Sequence, residues 1–409
     1  MSAAPLLPVD DAIARIGSAI SPLATEQVPV FDAGGRVLAE PLTARRTHPP
    51  FDGSAMDGYA VRHNDTTNIP AQLTVVGESA AGGSFDQTLS ENEAVRIFTG
   101  APLPAGADTI VIQEDTERDG DTVIINEAPK SGQHIRRAGI DFTEGDSFFT
   151  EGRILSASDV ALAAAMNIPD VAVVRKPRVA FFATGDELVL PGEIPGPNQI
   201  VSSNSPGLAA LITELGGIPV DLGIARDNEA SIRECAERAS QADILVTVGG
   251  ASVGDHDLVQ PVLTSLGLRV DFWRIAMRPG KPLMFGDFNG TPFVGLPGNP
   301  VSALVCGHLF LRAAIAARLG ACAAHPALVP VTLATDLREN DKRQDYLRAT
   351  IDVVDGGWIA TPLNRQDSSM LSALSRSHCL LVRAPHAPAA KTGYTCPAVL
   401  LRAPDLSTD

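Results

Sequence analysis

The stretch MRPGKPLMFGDFNGTPFVGLPGNPVS, residues 277–302, constrains this chain more than any other. It sets two Gly-Pro loops, RPGKP and LPGNP, at the ends of two short apolar runs, PLMF and TPFVGL. Runs this short, bounded by Gly or Pro, predict buried strands. Asn299 stands as a helix N-cap with Pro300 at the first helical position, opening the apolar helix VSALVCGHLFLRAAIAARLG. A strand ending in a glycine-bearing loop at a helix N-terminus leaves backbone N–H groups unpaired. Those groups, with the positive end of the helix dipole, suit an anion. Arg278 and Lys281 add two cations on the neighbouring loop. An oxyanion pocket is therefore the expectation.

The segment upstream repeats the strand-then-helix pattern from about Arg175: RVAFFATGDEL, SNSPGLAALITELGG, IPVDLGIARD, EASIRECAERASQA, DILVTVGGASVGD. Fully apolar strands such as VAFF and ILVTV between amphipathic helices predict a mostly parallel sheet covered on both faces, ending near Gly320. Residues 6–20 carry apolar positions at helical spacing, and 153–168 read as a helix capped by Ser156 or Ser158. A hairpin is expected around Ala33-Gly34-Gly35. Short β-rich runs over 70–150 and again over 327–405 predict two all-β regions. At 409 residues the chain exceeds one core and should hold about two to four domains. The fold class is α/β plus all-β.

A formal net charge of −16 argues against nucleic acid or an anionic membrane as partner, so an anionic substrate needs a locally basic site. Five scattered cysteines without a CxxC pair predict reduced thiols in a cytoplasmic protein. The N-terminus carries acids where a signal peptide carries bases, and His308, Arg312 and Arg318 interrupt the longest apolar segment.

Four loops after strand ends are where open α/β sheets bind ligands. They carry Thr184-Gly185-Asp186-Glu187, Asp227, the run from Ser252 through Gly254 to Asp255-His256-Asp257, and the opening stretch. One acid alone reads as a cap or a solvated loop residue. Acids on several converging loops suit Mg²⁺ beside a phosphate-bearing ligand. The turn carrying Gly249, Gly250 and Gly254 lacks the end of a Walker loop and the spacing of a dinucleotide fingerprint. It still suits a phosphate or an adenylate through backbone N–H groups and the Ser252 hydroxyl. His256 reads as a loop side chain rather than a base. Asp57 reads equally as a functional acid or an Asx-turn, and Thr99 as an ordinary turn residue. Arg348, Ser368 and Ser369 read as anion contacts or as solvated positions.

Taken together, SAMDGYAV, RIFTGAPLPAGADTIVIQEDT, TGDEL, VSSNSPGLAALI, TVGGASVGDHD, RPGKP and GLPGNPVSAL resemble the molybdopterin molybdenumtransferases, related to the C-terminal part of gephyrin. The motifs run in family order from about Asp10 to Arg402. The resemblance implies insertion of molybdenum from molybdate into adenylylated molybdopterin, with Mg²⁺ assisting and AMP released. It implies an elongated multidomain homodimer whose active site lies at the subunit interface, so that Asp57 and Thr99 act across it. Glu187, Asp227 and Asp257, with Asp255, become the acids of the adenylate and metal site. Arg278, Lys281, Ser302, Arg348 and Ser369, with Ser252, become the molybdate pocket. Thr184, Gly185, Asp186, Gly249, Gly250, Gly254, Pro297, Gly298, Asn299 and Pro300 become substrate contacts. Asp57, Thr99, Glu187 and Lys281 are the catalytic candidates.

The expected division is a linking domain over 22–44 and 146–175, a β-rich domain over 45–145, the α/β domain over 6–21 and 176–326, and a β-domain over 327–409. Arg278 stands where many relatives have lysine, and Ile140 where an acid is common, leaving Asp141 as the acid carried over there. Two other readings are an adenylyltransferase acting one step earlier and a gephyrin-like scaffold. The extra β-regions and the basic RPGKP loop favour metal insertion over the first. The lack of an appended enzyme domain or a long linker counts against the second.

Overall fold

The computed structural model describes residues 6–250, 258–322 and 325–403. Its N-terminal β-region is a six-stranded sheet in the spatial order Thr109–Ile112, Gly58–Val61, Glu93–Ile97, Ala71–Ser79, Thr122–Ile125, Thr116–Asp119. Alternate residues bury themselves on its two faces, Val61, Leu73 and Val123 on one and Ala60, Val95 and Ile110 on the other.

The expected hairpin around Ala33 does not form. Thr25–Pro29 instead pairs antiparallel with Asp170–Val174, far along the chain. A 3₁₀ turn over Val30–Asp32 ends that strand, and Val30 and Ala33 pack under the helix Ala157–Ala165. Ser156 caps that helix: its Oγ accepts from the Asp159 N–H at 3.3 Å, and Asp159 Oδ2 accepts from the Ser156 N–H at 2.9 Å. The Arg153 guanidinium on Asp159 pulls that carboxyl down to about 2.

The central sheet positions the site. Its elements are α1 (Val9–Ala19), β1 (Arg178–Thr184), α2 (Asn204–Glu214), β2 (Ile218–Ala225), α3 (Glu229–Arg238), β3 (Ile244–Val248), α4 (Val259–Ser265), β4 (Leu268–Trp273), β5 (Met284–Phe288), β6 (Thr291–Leu296), α5 (Pro300–Cys306) and α6 (Arg312–Leu319). The strand order is β2-β1-β3-β6-β5-β4. The first four strands run parallel, and β5 alone is reversed, pairing antiparallel with both β6 and β4. Neighbouring phenylalanines show why the strands read as unbroken apolar runs. Phe181 faces a core with α1, α2, α5 and α6, while Phe182 faces a second core with α3 and α4.

The helix after Pro300 is one 20-residue apolar segment, mostly buried, and forms part of the core. It is not uniformly α-helical: Gly307–Leu311 is a π turn between α5 and α6. His308 sits in that turn, where burial and the neighbouring Arg312 charge push its imidazole from 6.5 down to about 4. The unfolded chain therefore binds more protons between those values. Stability from neutral His308 is fully present above about pH 6.5 and is lost as pH falls toward 4, by at most about 1.4 kcal/mol per pH unit. The melting-temperature advantage of the native protein over a His308→Gln variant should accordingly shrink from pH 7.5 to pH 5. A constant difference would refute this.

The C-terminal region closes on itself. Gln344–Val354 pairs with both Gly357–Pro362 and Cys379–Arg383, and Leu328–Leu333 and Thr395–Leu400 complete the ring. Closure leaves the ring no free edge. The two-residue strand Met277–Arg278 pairs with the start of Gln344–Val354, so the RPGKP loop is held between the central sheet and this barrel. All five cysteines are free thiols.

Candidate active site

Strand direction assembles the site. Because β1, β2, β3 and β6 are parallel, Thr184, Ala225, Val248 and Leu296 end at one edge of the sheet. Because β5 runs against β6, with Met284 opposite Gly295, the RPGKP loop before β5 reaches that same edge. A cleft of about 710 Å³ lies there. The first two loops contribute Thr184, Gly185, Glu187 and Asp227. Gly249 and Gly250 follow β3, and Pro297, Gly298, Asn299, Pro300 and Ser302 follow β6. Ser369 enters from the C-terminal barrel.

Gly185 sits at φ +148°, and a β-carbon there would stand 2.4 Å from the Glu187 carboxylate. Glycine therefore lets Glu187 fold back over its own turn. Asp186 points away from the cleft to brace the next loop: its Oδ1 accepts from the Asp227 N–H at 3.2 Å, and its own N–H donates to Asp227 Oδ2 at 3.4 Å.

Asn299 occupies the N-cap position without capping. Its Nδ2 donates to Ser368 Oγ at 3.1 Å, and the Val301 N–H donates to the Ser368 carbonyl at 3.1 Å. A barrel loop thus takes a first-turn helix donor and docks the barrel beside the cleft. Sequence reasoning missed the wall formed by Leu188, Ile200, Val201 and Asn204. Asn204 Nδ2 donates to the Gly298 carbonyl at 2.7 Å, while its Oδ1 is buried without a partner among the described residues. The serine-rich VSSNSP turn opening α2 was the available signal.

The two cations of RPGKP behave differently. Arg278 is turned away from the cleft, with Nη1 on Asp341 at 3.3 Å and Nη2 on Asp345. Asp345 raises the pKa of that guanidinium further. The Lys281 side chain is exposed and makes no ion pair or hydrogen bond among the described residues. Between them Gly280 takes φ +112°, and a β-carbon there would lie 2.4 Å from the Cys306 sulfur. The loop therefore lies flat on α5 only as glycine.

Arg348, on the barrel strand Gln344–Val354, is 0% exposed. Its Nε, Nη1 and Nη2 have no hydrogen-bond partner among the described residues, and burial lowers its pKa. Gln366 holds its backbone, accepting from the Arg348 N–H at 2.9 Å and donating to the Arg348 carbonyl at 3.0 Å. Sequence reasoning missed Gln366 as well. Ser369 donates its Oγ–H to Asp367 Oδ1 at 2.6 Å.

Asp57 and Thr99 lie outside the cleft, in the N-terminal sheet. The register Gly58 opposite Ile97 brings them together, and Asp57 Oδ1 accepts from the Thr99 N–H at 2.7 Å and Oγ1 at 2.8 Å. Those bonds lower the pKa of Asp57. Asp141 lies in the same region, its N–H donating to the His48 carbonyl at 3.2 Å. Ser252, Gly254, Asp255, His256 and Asp257 fall outside the described residues. Among the described residues no group of three or more His, Cys, Asp or Glu gathers as a metal site. The pair Glu187 and Asp227 nevertheless fits Mg²⁺, which commonly takes one or two carboxylates and completes its shell with phosphate and water.

Comparison with known proteins gives this geometry its family. Residues 7–167 match "MoeA N-terminal region (domain I and II)", 180–317 match "Probable molybdopterin binding domain", and 330–401 match "MoeA C-terminal region (domain IV)". A molybdopterin molybdenumtransferase of Nostoc sp. is 40% identical over 342 residues, 81% of this chain and 78% of the relative. This chain belongs to the molybdopterin molybdenumtransferase family. A molybdopterin molybdenumtransferase of Haemophilus influenzae is 37% identical over 88% of this chain and 90% of its own length. The crystal structure of a molybdopterin biosynthesis moeA protein from Pyrococcus horikoshii superposes with TM-score 0.79 at 31% identity, covering 98% of this chain and 100% of that one. As a molybdopterin molybdenumtransferase fold, the chain sets its cleft within the segment matched as molybdopterin-binding and lets the C-terminal region contribute Ser369.

Proposed function

We propose that this chain inserts molybdenum from molybdate into adenylylated molybdopterin, releasing AMP, as a cytoplasmic homodimer. The observation that carries the reading is the meeting of two segments at one cleft. The molybdopterin-binding match supplies Ser302 and the strand-end loops, and the barrel supplies Ser369, with Lys281 on the adjoining loop. The glycine turns after β1 and β3 suit the phosphate of the adenylate by close backbone approach, and Leu188, Ile200 and Val201 offer an apolar wall for a flat ring. Tetrahedral molybdate, a dianion, would be held by Lys281, Arg348 and the hydroxyls of Ser302 and Ser369. Glu187 and Asp227 would hold Mg²⁺ against the phosphate. Bound there, the ion supplies charge neutralisation that makes AMP a better leaving group. The chain's own contribution is then positioning, which turns an encounter of two reactants into a near-unimolecular step. Asp57 and Thr99, fixed to each other but outside this cleft, would serve the partner subunit's site. Five free thiols are in keeping with a reducing compartment.

Purified protein supplied with adenylylated molybdopterin and Mg²⁺ should release AMP only when molybdate is added. Protein that binds the adenylate and never releases AMP with molybdate present would sink the reading.

A further inference from the structure

We propose that Asp367 is a positioning residue that tempers oxyanion binding in this cleft: its carboxylate orients Ser369 while standing as a fixed internal anion against Arg348. The inference rests on the molybdate reading above. Ser369 lines the cleft, yet both its donors are already spent on one oxygen of Asp367, the N–H at 2.8 Å and the Oγ–H at 2.6 Å. With its proton aimed at Asp367, the Ser369 oxygen turns lone pairs toward the cleft. Donation to an incoming anion then requires the hydroxyl to leave its present acceptor.

The carboxylate is stapled in place from both sides. Gln366 bonds both backbone groups of Arg348 and donates to the Leu363 carbonyl at 2.8 Å, which ties the Asp367 loop to the strand bearing Arg348. Ser368 ties the same loop to Asn299 and Val301 beside Ser302. Asp367 itself is exposed, so an anion approaching Ser369 meets its charge. Attraction to Arg348 adds to the Ser369 bonds in lowering the pKa of Asp367. No direct hydrogen bond joins the two, because all three Arg348 nitrogens are without a partner among the described residues. Arg348 therefore has unspent donors in a fully enclosed position, and any oxyanion that reaches it shares the field with a second negative charge. A cargo that must be handed on is thereby held less tightly than two cations alone would hold it.

Two substitutions separate the two roles, because Asp367→Asn keeps an acceptor for Ser369 and removes the charge, whereas Asp367→Ala removes both. The probe is sodium molybdate, titrated calorimetrically into the full chain at fixed ionic strength. Asp367→Asn should bind molybdate about two- to fivefold more tightly than the native protein, the scale of an exposed charge interaction. Asp367→Ala should bind about fivefold more tightly again than Asp367→Asn, because the Ser369 hydroxyl, released from its acceptor, gains one hydrogen bond to the anion. In a Ser369→Ala background the two variants should bind alike. Asp367→Asn no tighter than native, or Asp367→Ala equal to Asp367→Asn, overturns the proposal. A folded native protein that binds no molybdate overturns the functional reading instead.

Discussion

Methionine in place of Arg348 is expected to stabilise the protein and abolish molybdate binding in the same stroke. A guanidinium that is 0% exposed, with three nitrogens lacking partners among the described residues, carries a desolvation cost that no direct hydrogen bond offsets. Burial accordingly lowers its pKa, with the charge of Asp367 opposing that shift. An unbranched apolar side chain of similar length removes the cost and fills the space, and replacing buried charge by packed apolar groups stabilises by about 1–4 kcal/mol. If the guanidinium is kept for an oxyanion, its loss should lower molybdate-dependent turnover by at least about a hundredfold, as for other preorganised donors to developing or bound charge. Urea unfolding read beside molybdate calorimetry tests both halves. A variant that is less stable, with molybdate affinity unchanged, would make Arg348 a structural residue and remove it from the pocket.

The strand-and-loop frame of the site was legible because its signals are local. VAFF, ILVTV and TPFVGL are almost wholly apolar since sheet and helices cover both faces, and the Gly and Pro residues that end them mark where ligands can approach backbone. What depended on distant pairing was not legible. The segment around Ala33-Gly34-Gly35 has hairpin chemistry, but its strand pairs with Asp170–Val174 because that register buries Val28, Val171 and Val173 together. Arg278 looks identical in kind to Lys281 in the sequence, yet Asp341 and Asp345 of the barrel claim it. Asn299 fits the N-cap rule by type and position, and the tertiary contact with Ser368 overrides it. Arg348 lies on a strand whose pattern suggests one wet face, and it is buried because that face, shared with Tyr346 and opposite Ala349 and Ile351 of the barrel interior, packs toward the central core. In each case a long-range contact, invisible to periodicity, decided where a side chain points.

Truncating Lys281 to alanine should do the opposite of most inactivating changes, removing activity while leaving stability and assembly untouched. The backbone at this position is anchored independently of the side chain, since the Lys281 carbonyl accepts from the Ile275 N–H at 2.9 Å and the Leu283 N–H at 3.1 Å. The ammonium is exposed and has no partner among the described residues, so its loss should change folding stability by no more than about 0.5 kcal/mol. Activity should fall by roughly a hundred- to a thousandfold if the charge serves the oxyanion. Arg278→Ala supplies the contrast. It strips the partner from Asp345, which is 4% exposed and already has Oδ1 buried without a partner, so melting temperature should drop along with activity. The two cations of RPGKP thus separate by role: one holds the barrel to the loop, and the other stands exposed, without a side-chain partner among the described residues, on the loop beside the cleft. Molybdate-dependent AMP release that survives Lys281→Ala would remove the second half of that division and, with it, the assignment of the basic loop to the pocket.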